Sequence, residues 1–208
     1  MDSEFATYFR LGIGHIADLK GYDHILFIVA LTAGYAARDW RRLLWLVTAF
    51  TLGHSLTLAL ATLRLVRVHP PTIELLIAAT IVFTALLSIA TIVRNPHDAA
   101  SASSSSFAPA RNAILYAIAG GFGLIHGLGF SNFLRSILGG EETIVIPLFA
   151  FNVGLEIGQL TIVAAVLALG TLVCDVAGLP RRRWVTVLSA AIALVALKMF
   201  IERLTALA

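Results

Sequence analysis

The chain has 208 residues, 59% of them hydrophobic and only 13% charged, where a soluble domain carries about 25% charged residues. With a mean hydropathy of +0.90, that composition excludes an ordinary soluble domain and points to an integral membrane protein. The net charge of +3 is no sign of nucleic-acid binding, because the arginines sit in short loops between apolar runs, where they set topology.

Six apolar stretches are long enough to cross a bilayer, which takes about 20 residues at helical rise. They cover about residues 21–37, 43–65, 73–93, 113–138, 144–173 and 184–204, the first preceded by a turn or half-helix carrying His15. The expected fold is therefore all-α: a single polytopic domain over 1–208, a bundle of six transmembrane helices embedded in the lipid bilayer. Barrel-type alternation is absent. The N-terminus lacks a basic region ahead of a short apolar core, so no cleavable signal peptide is expected. Residues 95–110, rich in Ser, Ala and Pro, read as a flexible loop. The strongest basic cluster, Arg181-Arg182-Arg183, joins Arg38, Arg41, Arg42, Arg94 and Arg111 in loops one, three and five. Those loops are expected in the cytoplasm, with both termini outside.

The first span opens on His15-Ile-Ala-Asp-Leu-Lys-Gly-Tyr-Asp23-His24, two histidines and two aspartates at the mouth of an apolar run. Ionisable side chains within a membrane are costly and mark function. The second span holds Thr51-Leu-Gly-His54-Ser55, and the third a Thr80, Thr84, Ser88, Thr91 stripe that reads mainly as helix–helix packing. The fourth span carries Gly120-Gly-Phe-Gly-Leu-Ile-His126-Gly-Leu-Gly-Phe130. That glycine density implies very close helix contact or a broken helix. In the fifth, Asn152, Glu156 and Gln159 share one face at i, i+4, i+7, while Gly154 and Gly158 point roughly the other way.

Imidazole with carboxylate suits first-row transition metals such as nickel, cobalt, zinc or iron(II). The single cysteine, Cys174, and two methionines lie away from the histidines and argue against a copper(I) path. His69 and His97 fall in loops and are set aside. No Gly-x4-Gly-Lys-Ser/Thr motif is present, so this chain is not itself expected to be an ATPase.

Four blocks together, residues 14–27, 48–58, 122–130 and 151–159, resemble the HupE/UreJ family. The resemblance implies a nickel/cobalt permease of the bacterial inner membrane, linked with metalloenzyme maturation. It points to Asp23, His24, His54, His126 and Glu156 as metal-handling positions, with His15 next and Ser55, Asn152, Gln159 and Thr51 lining the site. The family pattern places five residues between the leading histidine and the Asp-His pair. Here there are seven, so His15 is expected at the mouth of the path. The expected function is secondary transport of a divalent transition metal, nickel or cobalt, with zinc a further candidate. The alternative is an intramembrane zinc-dependent hydrolase using His24, His54 and His126 as ligands. A homo-oligomer is left open.

Overall fold

The computed structural model describes residues 3–19, 21–66, 68–94, 109–138 and 143–207. Among these residues the chain is helical throughout, with no strand. Seven α-helices follow in order: α1 (Glu4–Ile16), α2 (Asp23–Thr32), α3 (Trp40–Thr62), α4 (Pro70–Arg94), α5 (Pro109–Leu138), α6 (Val145–Thr171) and α7 (Arg181–Thr205). The last five are long and apolar enough to cross a membrane. Of the Ser-rich stretch expected at 95–110, residues 95–108 lie outside the described residues, and 109–110 already belong to α5.

For the first span the half-helix carrying His15 is present as α1, but the length of the span that follows needs correcting. Residues 21–37 do not form one long helix. Two half-length helices, α1 and α2, stand in its place, separated by six residues. Ser3 caps α1 by accepting from the Ala6 N–H at 3.3 Å, and the helix ends at Ile16. α1 runs alongside α6 in the same direction, Phe5 beside Phe149 and Ile16 against Gly158. α2 continues that direction beside α4, where the Ser88 hydroxyl donates to the Ala30 carbonyl at 3.1 Å.

Of the two alternatives for the fourth span, close contact or a broken helix, the structure shows close contact, since α5 is continuous. Its glycines serve contact. A Cβ on Gly123 would overlap the Phe50 carbonyl oxygen, one on Gly127 would overlap the His54 carbonyl oxygen, and one on Gly53 would overlap the Gly120 carbonyl oxygen. α3 and α5 thus meet backbone to backbone and share the largest interface in the molecule. The second largest, α1 on α6, is built the same way through Gly12, Gly154 and Gly158. Small residues allow such approaches in lipid, where burying apolar surface gives no driving force between helices.

The ends have local causes. Pro70 and Pro71 open α4 where the missing N–H groups cost nothing. After α6 the chain relaxes through a π-turn (Leu172–Val176) and Gly178, whose φ of 73° is a region that favours glycine. Arg181 then anchors the start of α7 by donating to the Tyr35 carbonyl at 2.6 Å. At the opposite end Arg203 donates to the Glu74 carbonyl at 2.8 Å. Arg38, Arg41 and Arg42 follow Tyr35 directly, so they share one end of the bundle with Arg181, Arg182 and Arg183. The core between helices includes Phe27, Ile28, Leu46, Phe50, Phe151 and Leu155, while Trp45, Leu52, Phe83, Phe149 and Leu194 point outward.

Candidate metal centre

The gap between α1 and α2 brings their ends to one place. His15 stands on the last turn of α1 and His24 is the second residue of α2. Their rings lie 4.6 Å apart, centroid to centroid. His54 of α3 is 5.8 Å from each of them, and His126 of α5 is 5.0 Å from His24. Four imidazoles from four helices therefore meet at the middle of the bundle. His24 is 4% exposed, and His54 and His126 are 0% exposed. His15 is half-buried. The sequence places His15 at the mouth; the structure makes it the outermost ring of the cluster itself.

The hydrogen bonds fix what these rings can do. Asp23 Oδ1 accepts from the His24 backbone N–H at 2.8 Å and sits 2.9 Å from His24 Nδ1. A carboxylate there requires Nδ1 to carry the proton, so the lone pair of His24 is on Nε2. Thr80 donates its hydroxyl proton to the Ile77 carbonyl at 2.7 Å. Its oxygen is left to accept from His126 Nε2 at 3.0 Å, which puts the His126 lone pair on Nδ1.

Both lone-pair atoms, His24 Nε2 and His126 Nδ1, are buried without a hydrogen-bond partner among the described residues. So are His15 Nε2 and both ring nitrogens of His54. Burying one polar atom unpaired costs roughly 1–3 kcal/mol, and five such atoms occur together in this cluster. Unpaired imidazole nitrogens grouped in this way are groups that a cation with nitrogen affinity could satisfy. Among the described residues no three His, Cys, Asp or Glu side chains are already gathered as a metal-binding set. Metal–nitrogen bonds are about 2.0–2.1 Å long, so the rings must turn inward to share one ion.

Phenylalanines wall the cluster. Phe130 lies 3.8 Å from the His15 ring, Phe27 5.0 Å and Phe50 5.2 Å from His126. Such walls exclude water and strengthen every electrostatic contact inside.

The structure does not bring Glu156 into this group. Its carboxylate accepts from the Thr48 hydroxyl at 2.6 Å, nearly two turns of α3 before His54, or about 9 Å along the axis. Between them Thr51 donates to Gln159 Oε1 at 2.8 Å, and Ser55 donates to the Thr51 carbonyl at 2.6 Å. Asn152 Oδ1 is buried with no partner. Thr48 and Thr51 lie on the side of His54 that leads toward the arginine-rich end, whereas Asn152 lies on the N-terminal side of Gly158 in α6, toward the end where α1 begins.

Two contributors escaped the sequence. Thr80 sits in a hydroxyl stripe whose members all bond back to their own helix, Ser88 reaching Ala30 of α2 as well. Nothing in the stripe singles Thr80 out. Thr48 likewise gives no signal beyond its spacing from Thr51.

Five helices of this length around a buried group of four histidines define a multi-pass membrane protein. A family model described as HupE / UreJ protein matches residues 1–203. The chain belongs to that family, a transporter-type family associated with nickel and cobalt. No curated protein and no solved structure matches the chain.

Proposed function

We propose that the chain is a secondary permease of the bacterial inner membrane for a divalent first-row transition metal, nickel or cobalt. The ion is taken up transiently by His15, His24, His54 and His126. The observation that carries this reading is the set of five buried ring nitrogens without partners, two of them with lone pairs fixed by Asp23 and Thr80.

The chemistry follows from those residues. An arriving ion exchanges water for imidazole nitrogens, and the Asp23 carboxylate offsets part of its charge while holding His24 in the ligating tautomer. In this reading Asp23 orients a ligand rather than serving as one. Glu156, beside Thr48, is a second station that receives the ion as it leaves the imidazoles along the Thr51–Gln159 track. Six crossings, one of them made of α1 and α2, place both termini on one face. The arginines of the opposite face favour the cytoplasm.

The test is flux into proteoliposomes loaded with a nickel- and cobalt-sensitive dye. His54→Ala and His126→Ala are expected to abolish influx while the protein remains folded and inserted. Stoichiometric zinc that neither exchanges nor crosses the membrane would overturn transport and favour a zinc hydrolase.

A further inference from the structure

The six residues between α1 and α2 pose a problem of solvation. Ile16 ends α1 against Gly158, which stands midway along α6. His24 starts α2 beside His126, which pairs with Thr80 near the middle of α4. Both ends of the break therefore sit near the centre of the membrane-spanning layer, about 20 Å from either end of α6 at helical rise. Yet Ala17, Asp18, Leu19, Gly21 and Tyr22 are all exposed, Leu19 to 81%. The backbone N–H groups of Leu19, Gly21 and Tyr22 take no partner among the described residues. Hydrocarbon cannot supply one, and irregular backbone at that depth occurs only where protein buries it or water reaches it.

α1 carries the complementary feature. It is the most amphipathic of the seven helices, and Thr7, Arg10 and Gly14 are exposed along it at helical spacing. That row begins beside Ser3 at the N-terminal end and leads into Asp18 at the break. A charged, hydroxylated and glycine-bearing row is a costly face to turn to lipid. Gly14 adjoins His15 and has open space at its Cα, with nothing within 4 Å of where a Cβ would stand.

We propose that the exposed face of α1 and the break at residues 17–19 and 21–22 form a water-filled vestibule, open on the face carrying the termini. It ends at His15. The vestibule stands on solvation alone; that it delivers a hydrated divalent cation to the imidazoles rests on the permease reading. It gives the broken first span a purpose, since a continuous helix would have no free backbone to line with water.

The experiment is thiol accessibility in membrane vesicles, in a Cys174→Ser background. Gly14→Cys and Leu19→Cys line the vestibule, and Leu56→Cys on α3 is 55% exposed at the depth of His54 but on a lipid-type face. The probe is a membrane-impermeant cationic methanethiosulfonate, which needs a hydrated thiolate to react. Applied from the termini side, it should modify Gly14→Cys and Leu19→Cys on the order of tenfold or more faster than Leu56→Cys. Saturating nickel or cobalt should slow modification of Gly14→Cys. Reaction without metal protection leaves the vestibule standing and overturns the cation's use of it. Failure of both cysteines to react, or Leu19→Cys cross-linking between two copies instead, overturns the vestibule.

Discussion

Thr80→Val is the sharpest single probe of the centre. The change replaces a hydroxyl by a methyl of nearly the same size in a buried position, so packing is preserved while the partner that His126 Nε2 has among the described residues is removed. Two consequences follow. The Nε2 proton loses its acceptor, a desolvation cost of roughly 1–3 kcal/mol. The ring can relieve that cost by moving the proton to Nδ1, which turns the lone pair away from the other imidazoles and toward the valine. Removing a group that orients a metal ligand typically lowers affinity 10–100-fold, about 1.4–2.7 kcal/mol at 1.36 kcal/mol per decade. The assay is competition of purified protein in nanodiscs against a fluorescent nickel or cobalt chelator, with flux measured in parallel. Thr80→Ser keeps the hydroxyl and should restore affinity to within about threefold, near 0.6 kcal/mol. If Thr80→Val binds like the unsubstituted protein while His126→Ala does not bind at all, the tautomer assignment is wrong.

Two further substitutions test the surroundings. Gly123→Ala puts a Cβ on the Phe50 carbonyl, 2.9 Å from its carbon and 3.0 Å from the His54 nitrogen. Backbone cannot yield as a side chain does, so the thermal midpoint should fall by the equivalent of about 1–3 kcal/mol, whereas Gly121→Ala, with nothing within 4 Å, should leave it unchanged. Glu156→Gln keeps an oxygen for Thr48 but removes the charge, so equilibrium affinity at the imidazoles should hold while the flux rate drops on the order of tenfold, about 1.4 kcal/mol. Equal losses in affinity and rate would return Glu156 to the imidazole site.

Hydropathy made the five long helices legible, and polarity made the four histidines legible, because neither apolar runs nor intramembrane imidazoles have many alternative explanations. The sequence left two readings open for the fourth span, and for a physical reason. Glycine density around His126 is compatible with a break and with close contact, and only the backbone of α3 pressed against Gly123 and Gly127 decides for contact. The real break, at Ala17 to Tyr22, carries just one glycine, and its two extra residues relative to the family pattern read as displacement of His15. Those residues instead form a bridge that lets His15 return to the cluster. Glu156 was grouped with the histidines because it shares their rarity in lipid. Rarity marks function without giving distance, and α6 crosses α3 nearer Thr48 than His54.

The broken span also shapes the field an ion meets. α1 ends at the cluster, so its terminal carbonyls present the negative end of a helix dipole to the imidazoles. α2 begins there, and its positive end would repel a cation. Asp23, its first residue, places a carboxylate on that positive end and on His24 Nδ1 at once. One side chain therefore neutralises the unfavourable dipole, fixes the tautomer of His24 and leaves the favourable dipole of α1 unopposed. Asparagine at this position keeps the shape but supplies none of the charge. A continuous first helix would bury its carbonyls in its own ladder and offer a cation no terminus at all, so on the permease reading the interruption matters more than any single histidine.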